Sequence, residues 1–446
     1  MTAFACELVW TGDRLVADVL IEVEGERIAQ LSPSVAAAPE ATRLEGLVIP
    51  GFANAHSHAF QRALRGRAET GRGSFWTWRE QMYELAEALD PDSYRELATA
   101  VFAEMALAGI TTVGEFHYLH HDRDGSPYSD PNAIGRALID AAGEAGIRIT
   151  LLDTCYLHGG IGAEPAGVQR RFADSDADAW AGRVAELDDE APGPSTPGVR
   201  IGAAIHSVRA VDPDSAASVS AWAGEGGRPP HAHLSEQPAE NEACLEAYGS
   251  TPAAVLDDAG ALSERFVAVH ATHLSGSDFE LLGSAGATCC LCPTTERDLA
   301  DGIGRASLLA DAGARLALGS DSNAVIDMLE EARAVELDER LADGERGRHA
   351  PEGLLRAATE RGHACLGWPD AGRIEPDTLC DLVAVDLDGV RLAGVDRSDP
   401  VPSLVFAASA ADVRDVIVGG RPVVIDRRHV GIDVPAALRE AIGALA

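Results

Sequence analysis

Between residues 48 and 370, short runs of apolar and β-branched residues alternate with longer Ala-rich stretches of helical character, such as DPDSYRELATAVFAEMALA. The strand-like runs are LVIPGFANAH, GITTVGEFHY, RITLLDTCYL, RIGAAIHSV, PPHAHLSE, FVAVHATHL, ATCCLCPT and ARLALGSDS. Eight strand–helix units in series predict an α/β fold, a parallel TIM-like (β/α)8 barrel over residues 49–372. Residues 1–48 instead alternate strands and turns, as in ACELVWTGDRLVADVLIEVEGERIAQL, and residues 373–446 resume that style with CDLVAVDLDG and VRDVIVGGRPVVID. Neither end holds enough strands to close a sheet alone, so the two are expected to meet in one small composite β-sandwich domain. Residues 159–198, rich in Gly, Pro, Asp and Glu, read as a long loop with a short helix beside the barrel mouth.

Composition narrows the function classes. Of 446 residues, 46% are hydrophobic and 5% aromatic, which fits a globular α/β chain and argues against disorder. No apolar run approaches the roughly 20 residues that span a bilayer, and the N-terminus lacks the basic and apolar regions of a signal peptide. The eight Cys read as reduced, mostly buried thiols of a cytoplasmic protein. The net charge is −35, a field that repels nucleic acid and anionic membrane, so neither is an expected partner. All 36 basic residues are Arg. The absence of lysine excludes Schiff-base and pyridoxal chemistry, a Walker lysine, and a carbamylated lysine bridging two metals.

The remaining candidate chemistry lies at strand ends. His56 and His58 are two residues apart after LEGLVIPGF, a spacing that puts both side chains on one side of a strand. Alone, such a pair is an ordinary polar strand end. The fifth run carries His231 and His233, the sixth His270 and His273, and the eighth Asp321. A barrel gathers these ends around one axis. Three imidazoles and a carboxylate make a site suited to Zn2+, with Fe2+ as the alternative, leaving one position for water.

HxH after the first strand, HxxE after the fifth, His after the sixth and Asp after the eighth resembles the amidohydrolase superfamily, in its mononuclear aminohydrolase branch. The resemblance covers essentially the whole chain and implies a homodimer. It further implies that His56, His58, His233 and Asp321 ligate the metal, that Glu236 shuttles protons, and that His270 orients substrate and water, with Asp321 also catalytic. The stretches HSHAFQRALRG, SFWTWRE, FHYLHHDRDG, HSVRA, HLSEQ and CPTTERDLADG are similar to the formimidoylglutamate deiminase group within that branch. This implies hydrolysis of a dicarboxylate amidine, N-formimino-L-glutamate, to N-formyl-L-glutamate and ammonia in histidine degradation. Gln61, Arg79, Tyr118 and Arg209 would then hold the carboxylates. With no lysine, fixed positive charge for such a substrate can come only from Arg, whose fork pairs bidentately with carboxylate. Asn323, in GSDSNAVID, departs from the His more usual there. His231 is read as packing on the opposite side of its strand, His273 is open between roles, and His120 and His121 read as a solvated loop pair. His349, His363 and His429 read as structural or surface residues. The alternatives are a deaminase of cyclic amidines (guanine, cytosine or an adenosine derivative), imidazolonepropionase, and a non-catalytic scaffold; the complete ligand set argues against the last.

Overall fold

Both ends of the chain feed one mixed sheet. Its N-terminal share is β1 (Thr2–Trp10), β2 (Leu15–Glu24), β3 (Arg27–Pro33) and β4 (Thr42–Pro50). The chain then enters the parallel barrel through β5 (Phe52–Ser57), β6 (Ile110–His117), β7 (Arg148–Cys155) and β8 (Val199–Ile205). The barrel continues with β9 (Pro230–Leu234), β10 (Val267–His270), β11 (Thr288–Leu291) and β12 (Arg315–Leu318). Finally β13 (Leu382–Val385), β14 (Val413–Val418), β15 (Arg421–Ile425) and β16 (Arg428–His429) rejoin the first sheet. Its order is β16-β15-β14-β13-β4-β1-β2-β3, so β13 and β4 join the two ends of the chain. This computed structural model describes residues 2–33, 40–67, 73–190 and 198–445.

The run LVIPGFANAH proves to be two strands. LVIP completes β4 in the mixed sheet and FANAHS forms β5 in the barrel. Gly51 is the point of transfer: a Cβ there would lie 2.3 Å from Thr111 Oγ1, and its N–H donates to the Asp381 carbonyl at 2.9 Å. The C-terminal segment also holds more than strands. The helix Val434–Ala444 packs against the barrel helix Pro91–Leu107. In the segment 159–198, a helical turn (Gly167–Arg171) and the helix Ala177–Glu190 are present, and 191–197 lie outside the described residues.

Barrel strands run in sequential order from β5 to β12. The ring is closed at the C-terminal end of β5 and just past that of β12, where His58 N–H donates to Asp321 O and Asp321 N–H to His56 O, each at 2.9 Å. β6 and β7 are buried at every position, as expected for strands covered on both faces. The helices between them start on local signals. Asp90 accepts from Ser93 N–H, with Pro91 as the first helical residue, where the missing N–H costs nothing. All eight Cys are buried and unpaired. Among the described residues, no helix is long and apolar enough to cross a membrane.

Candidate metal centre and active site

Closure of the barrel brings His56 and His58 to Asp321, and the curvature of the sheet brings β9 and β10 to the same axis. His233 Nε2 lies 3.2 Å from His56 Nε2 and 3.4 Å from His58 Nε2. Asp321 Oδ1 is 3.4 Å from His56 Nε2 and 3.5 Å from His58 Nε2. All four side chains are buried.

The tautomers show what this cluster lacks. His58 Nδ1 faces the Phe116 carbonyl and His233 Nδ1 the His206 carbonyl, each at 2.9 Å. A carbonyl only accepts, so both Nδ1 atoms carry the proton and both Nε2 atoms present bare lone pairs to each other. Protonating them is disfavoured: burial pushes His58 down to about 3 and His233 well below its ordinary value. Asp321 is held below the usual carboxylate range, because the His56 hydrogen bond and facing imidazoles outweigh burial, which alone would raise it. Converging lone pairs beside an ionised carboxylate repel one another unless a cation sits among them. The donor set therefore fits a divalent metal, in N3O chemistry that suits zinc or iron.

Three carboxylates surround His270. Its Nε2 is 3.8 Å from Asp321 Oδ2 and 3.9 Å from Glu236 Oε1, while its Nδ1 is 3.3 Å from Glu296 Oε1. Glu296 is itself fixed by the Cys292 N–H at 2.9 Å. Burial opposes charging His270, but Glu236, the Glu296 hydrogen bond and Asp321 together raise it well above its ordinary value. Glu236 is raised, chiefly by burial. Three non-glycine residues here, Ser235, His270 and Asp321, have φ of 49°, 68° and 44°. Such left-handed backbone is sparsely populated and persists where surrounding structure compels it.

The cluster opens into a cavity of about 320 Å³ lined by Gln61, Arg79, Tyr118 and Arg209 among others. Gln61 donates to Tyr118 Oη at 3.1 Å, and its buried Oε1 has no partner among the described residues. Arg79 stacks its guanidinium 4.5 Å from the Trp76 ring centroid and forms no ion pair among the described residues. Arg209 is less free than the sequence suggests, with Glu240 Oε2 3.2 Å from its Nε and Glu236 Oε2 3.4 Å from its Nη2. All ten site residues anticipated from the sequence thus lie in or around one cavity.

Several other readings change. His231 is not on the opposite side of its strand: two residues from His233, it faces the same way, and its Nε2 lies 3.3 Å from the Cys365 carbonyl. His273 turns away to the Asp301 carbonyl at 2.7 Å. His120 and His121 are buried rather than solvated, beside Asp153 and Asp174, which Arg183 bridges. Asn323 ties the barrel seam, donating to Ser57 Oγ at 3.2 Å and to the His58 carbonyl at 3.1 Å. Glu296 and Glu240 carry no signal in spacing alone; only the fold shows what they touch.

The sequence profile of the Amidohydrolase family matches residues 47–423. Formimidoylglutamate deiminase of Pseudomonas aeruginosa is 37% identical over 97% of this chain and 96% of its own. The 5-methylthioadenosine/S-adenosylhomocysteine deaminase of Natronomonas pharaonis is 31% identical over 95% of this chain and 92% of its own. The crystal structure of an amidohydrolase from Brucella melitensis superposes with a TM-score of 0.92 at 33% identity, covering 100% of both chains. With its eight-stranded barrel, composite terminal sheet and buried His/Asp cluster, the chain belongs to the amidohydrolase family.

Proposed function

We propose that this hydrolase deaminates N-formimino-L-glutamate to N-formyl-L-glutamate and ammonia. The observation that carries the reading is the pairing of two guanidiniums, Arg79 and Arg209, with the imidazole–carboxylate cluster in one cavity. A substrate with two carboxylates meets a molecule of net charge −35, so it needs local cations, and Arg provides them bidentately. The 37% identity to the Pseudomonas deiminase supports the same substrate.

His56, His58, His233 and Asp321 would hold the metal, which when bound lowers the pKa of a water to about 7 and supplies hydroxide at neutral pH. Asp321 takes the proton of the attacking water through its carboxylate. His270, steered by Glu296 at Nδ1, keeps Nε2 toward Asp321 and Glu236. Glu236, raised by burial, gives its proton to the imino nitrogen as the carbon is attacked. The proton taken by Asp321 then passes to the resulting amine, and the adduct's hydroxyl proton returns to Glu236 as the formyl C=O forms and neutral ammonia leaves. Gln61, Tyr118, Arg79 and Arg209 hold the carboxylates and set the amidine carbon over the nucleophile. Glu240 holds Arg209 in that direction.

A second reading has its own observation. Phe75, Trp76, Trp78, Tyr83, Tyr156 and Phe172 also line the cavity, and such faces suit a cyclic amidine. Ammonia release from N-formimino-L-glutamate, 5-methylthioadenosine and 8-oxoguanine separates the two. Turnover of the linear substrate alone, abolished by a chelator and restored by Zn2+, is expected; turnover of a nucleobase or nucleoside alone overturns the proposal. Glu236→Gln should retain metal and lose about 10²- to 10⁴-fold in kcat. Near-native kcat in the metal-loaded variant would refute the shuttle.

A further inference from the structure

At the opposite end of the barrel, around the N-terminal ends of β9 to β12, lies a second cavity of about 680 Å³. Four arginines line it, each from a different element. Arg265 precedes β10, Arg315 opens β12, Arg356 lies on the helix Pro351–Ala358, and Arg361 on the helix Glu360–Cys365. Arg265 and Arg315 are exposed; Arg356 and Arg361 are half-buried.

The charge balance there is unusual for this chain. Acidic residues outnumber basic ones 71 to 36, and elsewhere many arginines are paired with carboxylates. Among the described residues, none of these four forms an ion pair. Among the described residues, the Arg315 guanidinium donates only to the Glu264 carbonyl, at 3.3 Å. Two carboxylates do line the cavity: Glu360 is committed to Arg373 at 2.9 Å, and Glu264 is exposed at the rim. Burial, Arg356 and Arg315 all disfavour the charge on Arg361, with Glu360 opposing in part. Four guanidiniums held together without partners repel one another, and an anion placed among them removes that repulsion while taking several bidentate hydrogen bonds.

We propose that this cavity binds a small, multiply charged phosphate-class anion, gripped by Arg265, Arg315, Arg356 and Arg361. Arg suits the task better than Lys because its planar fork matches two phosphate oxygens at once. Among the described residues, no aromatic ring lines the cavity, so recognition rests on the charged groups rather than on a stacked base. The site lies at the barrel end remote from the imidazole cluster. Its wall includes Cys365, whose carbonyl lies 3.3 Å from His231 Nε2, so a bound anion braces a helix that leans on β9.

Calorimetric titration of the metal-loaded chain with pyrophosphate tests this, with citrate and sulfate as parallel arms at matched ionic strength. Saturable binding of one pyrophosphate per chain is expected, together with a rise in Tm. The double variant Arg356→Gln/Arg361→Gln should bind at least tenfold more weakly with basal ammonia release unchanged. Any metal stripped by pyrophosphate is common to both proteins and cancels in the comparison. The exposed Arg265→Gln, which carries little folding risk, should weaken binding several-fold. Pyrophosphate binding no tighter than sulfate, or equal binding by native and double variant, overturns the proposal. Citrate binding as tightly as pyrophosphate overturns the phosphate assignment. Loss of self-association in the double variant without any anion binding would show that the arginines face a second copy instead.

Discussion

Glu115 is a carboxyl buried where few partners reach it. It sits on β6 with no exposed surface, accepting from Ala59 N–H at 2.7 Å and Tyr94 Oη–H at 3.4 Å, while its Oε2 has no partner among the described residues. Burial raises it from 4.5 to about 8 against those hydrogen bonds. A group raised on folding contributes stability that is full below its unfolded value and is lost as pH climbs through its folded one. Native stability should therefore decline from about pH 4.5 to pH 8 on account of this residue. Glu115→Gln keeps an acceptor at Oε1 and cannot ionise. Its stability relative to the native chain should rise across that window, by on the order of 5 kcal/mol between pH 4.5 and pH 8.5, read as a growing Tm difference. A difference that stays flat with pH would mean that Glu115 is not neutral in the fold. Single residues were legible in the sequence where chemistry demands a type at a strand end, as with His56, His58, His233 and Asp321. Glu296 and Glu240 were not, because a buried carboxylate steering a histidine or an arginine is defined by contacts across 26 and 31 residues of chain.

The strand ends depend on backbone that the strands alone do not supply. β12 must approach β5 closely enough for Asp321 to bond both His56 and His58 through the main chain. Gly319 permits it: a Cβ there would lie 2.8 Å from both the Cβ and the carbonyl oxygen of His56. The His56 backbone nitrogen is next, at 2.9 Å, so two of the three nearest atoms are backbone and nothing nearby can swing aside. Gly319→Ala should open the seam, costing about 1–3 kcal/mol of stability and more in metal content, since His56 and Asp321 separate together. Metal analysis beside thermal unfolding checks it; full metal loading at native Tm would show that the seam tolerates the methyl group. The same closeness explains which element boundaries the sequence hid. Eight β-rich runs in order were enough to anticipate the barrel, because period and spacing carry that information. The break inside LVIPGFANAH was hidden, because both halves are apolar and buried, and only the crowding of Gly51 against Thr111 separates them.

At the scale of the molecule, the composite sheet follows from strand arithmetic, but what holds it to the barrel does not. That task falls partly to Arg148, the first residue of β7, buried to 3% exposure. Its Nε is 3.0 Å from Asp381 Oδ2 and its Nη2 3.2 Å from Asp381 Oδ1, a bidentate pair, while Nη1 reaches Glu26 at 3.1 Å. Asp381 precedes β13 and also accepts from Gly419 N–H at 2.7 Å, so one guanidinium joins the barrel to both chain ends. Burial alone would lower the Arg148 pKa, yet Asp381 and Glu26 raise it, which marks the ion pair as strongly held. Removing one partner of a buried pair leaves the other charge unsolvated, at a cost of about 3–5 kcal/mol. Arg148→Met, which fills much of the same volume, should therefore lower stability by that amount, and the double variant Arg148→Met/Asp381→Asn should recover much of the loss. Chemical denaturation of both variants decides. An Arg148→Met chain within 1 kcal/mol of native, or a double variant no better than the single one, would mean that packing rather than this charge pair joins the two sheets.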